Sequence, residues 1–177
     1  MRGLAKAAAV PIAFLVVLAA GGLAYVKWTG LRGQPHPGRV ETLVARAIRG
    51  LAVPSATAAR SNPLPASPEA SAAGREHFAH YCTMCHGPDG SGRDAPLGRG
   101  LFPKPPDMRA DATQHLTDGE LFYIIVNGVR FTGMPAFGTG TEDEAGEELA
   151  WQLVHFVRQL PRLTPEEVEA IRAASPL

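Results

Sequence analysis

The sequence predicts an all-α protein: a long apolar leading helix, a Pro-rich linker and a small helical domain. Three observations predict it. Helix-opening signatures recur at Ser67-Pro68, at Thr117-x-x-Glu120 and at Thr164-Pro165-Glu166-Glu167, each offering a side-chain oxygen to the free N–H groups of a first turn. Apolar residues after these signatures repeat at helical spacing. No stretch of the domain alternates like a strand over a useful length. With 177 residues the chain has room for one ordinary domain plus extensions, divided here into 1–28, 29–66 and 67–177.

The first part starts with Arg2 and Lys6, and Ala7 to Val26 then carries no charge. Twenty residues at helical rise span roughly 30 Å, the thickness of a hydrocarbon core. Tyr25, Lys27 and Trp28 close the run, as amphipathic residues do at headgroup level. A cleavable signal peptide shares the charged start, and Ala20 and Gly22 suit a peptidase, but its apolar core is usually about 7–15 residues long. An uncleaved anchor over residues 7–26 is therefore the expectation. Either way the remainder is exported.

Residues 29–38 are too rich in Gly and Pro for a regular element. Val40, Leu43, Val44, Ala47, Ile48 and Leu51 then repeat at helical spacing beside Arg39, Arg46 and Arg49. Two readings fit that pattern: a short helix packed on the domain, or a basic amphipathic helix at a membrane surface. From Pro54 to Pro68 the chain is polar and Pro-rich, which predicts an extended spacer.

Within the domain, the first helix carries Gly74, Phe78 and Tyr81 on one face up to Cys82. A second starts at Thr117, turns Leu121, Ile124 and Ile125 inward and ends near Asn127-Gly128. A third runs from about Asp143 to Leu160 with Leu149, Leu153, Phe156, Val157 and Leu160 inward and Trp151 flanking. A short helix follows Thr164. Between the first two lies a Gly/Pro-rich excursion, His86 to Leu116; thirty structureless residues in a compact domain need a reason, and a large embedded group would be one.

Charge narrows the partners. Formal net charge is zero, but residues 1–71 hold eight Lys/Arg against two Asp/Glu, and residues 72–177 hold nine against fifteen. A basic, apolar front end suits a membrane, and the acidic remainder argues against nucleic acid.

The only two cysteines lie in Cys82-Thr83-Met84-Cys85-His86. Two thiols at this spacing can add to the two vinyl groups of one haem, and the next residue then places an imidazole beneath the iron. A thioredoxin-like pair wants a βαβ context. A zinc site wants about four ligands, and no second Cys or His pair sits at ligand spacing. A disulfide across two residues staples almost nothing. One haem c, covalently attached, is the expected cofactor, with His86 as an axial ligand. For the other axial position Met1 lies in the leader and Met84 is trapped between the thiols. Met134, in a loop between Gly133 and Pro135, and Met108, after Pro103, Pro105 and Pro106, both remain open. His77, His80, His115 and His155 are read as surface or packing residues.

From Gly74 to about Leu160, half of the chain, the sequence resembles a class I cytochrome c. The nearest likeness is to small membrane-associated cytochromes and cytochrome-domain subunits of respiratory complexes. The matching pieces are the aromatic first helix ending in CTMCHGPDGSG, then ELFYIIVNGV, GMPAFG and an aromatic-rich terminal helix, in that order. The resemblance implies a cytochrome c domain over 67–177 and Met134 as the distal ligand, with Met108 as runner-up. It also implies packing of the first helix on the last, pairing Gly74 and Phe78 with Trp151 or Phe156. A backbone carbonyl orienting His86 is implied too, from Pro96, Pro103 or Pro105.

The expected function is electron transfer rather than enzymatic turnover, since two protein ligands leave no position for a small-molecule substrate. The expected location is the cytoplasmic (inner) membrane, single-pass, with the haem domain on the periplasmic or outer side. Partners would be redox proteins or membrane complex subunits. One alternative is a fixed electron-entry subunit of a terminal oxidase, a nitric oxide reductase or a quinol-oxidising complex. The other is a haem-based sensor, which needs a labile sixth site.

Overall fold

A computed structural model describes residues 2–30, 37–138 and 144–176, and every regular element among them is helical. Most of the Gly/Pro linker expected over 29–38, His36 included, and the helix start expected at Asp143 lie outside the described residues. The chain divides into two units, 1–33 and 34–177.

The first unit is one helix, α1 (Arg2–Thr29). Its stretch Pro11–Thr29, with mean hydropathy 1.7, is long and apolar enough to cross a membrane. Ile12, Phe14, Leu15, Val16 and Val17 are all exposed. An apolar helix whose large described side chains face outward is compatible with single-pass anchoring.

The second unit opens with α2 (Arg39–Ala52), where the Gly38 N–H donates to Glu41 Oε2 at 3.3 Å. Next comes α3 (Ser55–Ala58). The residues after it, expected as an extended spacer, pack on the domain. Arg60 forms a paired contact with Glu147 (3.1 and 3.3 Å), and its guanidinium lies 4.7 Å from the Phe122 ring centroid and 5.2 Å from that of Trp151. Asn62 Nδ2 donates to the Trp151 carbonyl at 2.9 Å, His155 Nε2 lies 3.0 Å from the Leu64 carbonyl, and Thr117 Oγ1 donates to the Ala58 carbonyl at 2.7 Å. Residues 54–66 are thus a strap on the domain. Its Pro content sets an extended path, and side-chain contacts across 59 to 91 positions of sequence fix it there.

The core forms where α4 (Pro68–Tyr81) crosses α8 (Glu144–Gln159). Ser67 caps α4 by accepting from the Ala70 N–H at 3.1 Å, as its sequence predicts. Gly74 is there because the helices nearly touch: a Cβ at this position would lie 2.1 Å from the Gln152 carbonyl oxygen. Phe78 then meets Phe156 with ring centroids 5.2 Å apart. Trp151 does not flank α8 as expected. It is 1 % exposed and stacks on Phe122 of α7 (Asp118–Asn127) at 4.2 Å and 14°. Val154, absent from the expected face, is fully buried, while Ile124 is only half-buried.

Thr117 and Glu120 close the expected capping box on α7, and Thr164 and Glu167 close that on α9 (Pro165–Ala174). Arg158 ties α8 to the start of α7 through Asp118 Oδ1 (2.7 Å) and the carbonyls of Gln114 and Leu116. Between α4 and α7 only short turns interrupt the long excursion: α5 (Thr83–His86), a 3-10 turn at Gly98–Gly100 and α6 (Asp111–Gln114).

Candidate functional site

Cys82 is the C-cap of α4, its N–H donating to the Phe78 carbonyl at 2.9 Å, and α5 begins at the next residue. Thr83 is buried, and its hydroxyl donates to the Ala79 carbonyl at 2.8 Å, which continues the helical path across the junction. The Cys85 and His86 N–H groups both return to the Cys82 carbonyl, at 3.1 and 2.8 Å. Spacings of three and four on a helical turn put both thiols and the imidazole on one face. Gly87 stops the turn with φ +73°, a conformation a side chain would strain.

The two cysteines are unpaired. Burial pushes the Cys82 thiol up to about 12, with the neighbouring Cys85 adding to the shift, and burial raises Cys85 as well. A redox dithiol needs the opposite, a thiolate stabilised near neutral pH. Burial pushes His86 down to about 4, against the pull of the Pro106 carbonyl facing the ring, so the imidazole is neutral and keeps a lone pair for a metal. His86 Nδ1 is buried and closes no hydrogen bond. The facing carbonyl belongs to Pro106, not to Pro96, Pro103 or Pro105 as expected. Three neighbouring prolines offer the same local signal, and only the path of the loop separates them.

That path is held by Arg109. Its Nη1 bonds Asp89 Oδ2 at 2.8 Å, and its Nε and Nη2 bond both oxygens of Asp107 at 3.0 Å. Asp89 and Asp107 thereby join the turn after His86 to the segment that carries Pro106. The Met108 N–H adds a bond to the Gly90 carbonyl at 2.9 Å, and the Gly92 N–H returns to the His86 carbonyl at 2.7 Å. Neither Arg109 nor its two aspartates stood out in the sequence, because the Asp89–Arg109 contact that closes the loop spans 20 positions and leaves no local pattern.

Both carboxyls are held below the usual aspartate range. For Asp107 the Arg109 hydrogen bond is the main cause; for Asp89 burial alone would raise the value, and bonds from Ser91 with the Arg109 charge outweigh it. A depressed carboxyl stabilises the fold above its ordinary value, 3.8, and that share is lost as pH falls through the lowered one. Arg109→Ala should therefore cost about 1–2 kcal/mol at pH 7, a modest figure for partly exposed pairs. The deficit should shrink towards pH 2. Denaturant midpoints of both proteins across this range check it, and a deficit independent of pH would refute the clamp.

The two candidate methionines lie in different settings. Met108, two residues beyond Pro106, is half-buried against the core on the segment that faces the back of the imidazole. Met134 lies in a loop folded onto the end of α7. Its carbonyl accepts from Val129 N–H at 3.1 Å, its N–H donates to Thr132 Oγ1 at 3.1 Å, and the Phe137 N–H donates to the Ile125 carbonyl at 3.1 Å. Phe137 also leans on Tyr81, with ring centroids 6.3 Å apart, one residue before Cys82. Leu101 rests against Gly133. These contacts bring the Met134 loop to the rim of the thiol-bearing turn.

The donor set fits a covalently held haem: two free thiols and a neutral imidazole on one turn, with a buried ring nitrogen facing a carbonyl. Among the described residues no group of three or more His, Cys, Asp or Glu could hold a bare metal ion. A search of curated proteins finds no match to the chain. The family model described as cytochrome c oxidase, cbb3-type, subunit III matches residues 69–157, from the first turn of α4 to the last of α8. With half of its length matched, thiol-bearing turn included, the chain belongs to that family and is a c-type cytochrome with covalently attached haem c.

Proposed function

We propose that this protein is a membrane-anchored, single-haem electron carrier, with thioether bonds at Cys82 and Cys85 and axial ligation by His86 and Met134. The observation that carries the reading is the helical turn that presents two unpaired thiols and a neutral imidazole together. The haem supplies reversible one-electron iron chemistry. The chain supplies the rest. Cys82 and Cys85 fix the group's position, the Pro106 carbonyl orients the imidazole, and the clamp at Arg109 keeps that carbonyl in register. Met134 favours the reduced state through its soft sulfur. Tyr81, next to Cys82, and Leu97, whose N–H donates to the Met84 carbonyl, are exposed and offer an apolar docking rim for a redox partner. A reversible one-electron reduction with no carbon monoxide adduct on the reduced protein at neutral pH is the expected result. An adduct would replace this reading with an open-site sensor.

Residues 11–29 would hold the domain to the cytoplasmic membrane, with the haem domain on the periplasmic or outer side where such haems are attached. With residues 1–28 exchanged for a cleavable signal peptide, the cytochrome should come off membranes in a high-salt wash, still redox-active, whereas the full chain should need detergent. Retention of the exchanged chain through high salt would place the attachment in partner subunits.

The family's description favours a second reading, a fixed electron-entry subunit of a larger membrane oxidoreductase. Co-purification in mild detergent separates the two: stoichiometric partner subunits favour the second, an isolated cytochrome the first.

A further inference from the structure

The helix α2 stands apart from the core. None of its residues is buried. At 100° per residue, Val40, Leu43, Val44, Ala47, Ile48 and Leu51 fall in one sector about 140° wide. Val40, Leu43, Ile48 and Leu51 are 60–87 % exposed. Arg39, Arg46 and Arg49 lie outside that sector and are in no ion pair among the described residues. A helix packed on its own domain would bury this face, and this one does not. Its neighbours say what does cover it. Nine residues separate Thr29, the end of the apolar span, from Arg39, and fully extended they reach no more than about 35 Å. At the other end Val53 is buried in the domain. Chain length alone therefore bounds how far the start of α2 can lie from the end of the span.

We propose that α2 lies in the plane of an anionic lipid surface, with its apolar face among the acyl chain ends and its arginines on the headgroup phosphates. A short helix of about 21 Å with three arginines against one glutamate suits that surface: it inserts by area and is held by charge. The proposal rests on the anchoring of residues 11–29. It adds a second attachment, which confines the haem domain close to the membrane instead of letting it swing on the full linker.

The test uses the full-length, haem-loaded chain in lipid nanodiscs of phosphatidylglycerol or phosphatidylcholine. Trypsin cleavage after Arg46 and Arg49 is followed, with cleavage after exposed Arg99 as the internal control. In phosphatidylglycerol, cleavage in α2 should be at least about tenfold slower than in phosphatidylcholine. The difference should vanish at high salt and in the double variant L43E/I48E, which removes the apolar face but leaves every arginine. Equal cleavage in both lipids at low salt would overturn the proposal. Equal protection would mean that α2 folds onto protein, and equal exposure that its cover is a partner lost on purification. Failure of the anchor reading is a different result, a cytochrome that does not co-elute with the discs. Co-sedimentation with vesicles of the same two lipids then decides for α2 alone: salt-sensitive binding to phosphatidylglycerol supports it, and no preference overturns it.

Discussion

Changing both Cys82 and Cys85 to alanine should give a chain that carries no haem through acid denaturation, even from a host able to mature such proteins. Each single variant should keep one thioether at most and hold less haem than the parent. The physical reason is that noncovalent retention is weak here. His86 is a single protein ligand at the end of a one-turn helix, and few large apolar side chains of the excursion that follows it, Met108 and Leu116 among them, pack against the core. The α4–α8 core, by contrast, is complete without the cofactor, with Phe78, Trp151, Phe156 and Leu160 all at most 2 % exposed. The double variant should therefore keep its helical signal in circular dichroism while losing the Soret band. Haem staining of denatured gels makes the measurement. Normal staining in the double variant would sink the assignment of the thiols.

The contrast between core and site also explains what could be read from the sequence. The caps at Ser67, Thr117 and Thr164 were legible because the signal and the hydrogen bond it makes lie within three residues. The turn at Cys82–His86 was legible for the same reason: its thiols and imidazole are brought together by one turn of helix. Trp151 was misplaced because its partner is Phe122, on another helix, and periodicity along α8 says nothing about a ring stacked across it. Arg60 and its strap read as spacer in the sequence because proline content predicts an extended path and is silent about what that path lies on. The carbonyl of Pro106 and the clamp at Arg109 depend on how a loop returns to the turn after His86, which no local pattern encodes. Met134 is a third kind of case. Its loop was legible through Gly133 and Pro135, yet its role was implied only by the resemblance.

Met134→Ala should abolish the absorption band at the red end of the oxidised spectrum that a sulfur-to-iron bond produces, and should lower the midpoint potential by about 0.1 V or more, since thioether ligation favours ferrous iron. The reduced variant should also bind carbon monoxide, because a position on the iron is vacated. Met108→Ala should change none of these. That side chain packs against the core, so its loss should appear as about 1–3 kcal/mol of stability with spectrum and potential intact. The asymmetry follows from the chain path. Met108 belongs to the segment that carries the Pro106 carbonyl facing the imidazole, and its N–H is fixed to Gly90, four residues past His86. A residue held beside that carbonyl would not reach the far face of a haem that His86 ligates. The Met134 loop comes to the rim from α7 and is braced by Phe137 on Tyr81. Loss of the band in Met108→Ala with its survival in Met134→Ala would transfer the sixth ligand to Met108. It would also require the 105–109 segment to leave its clamp when haem is bound.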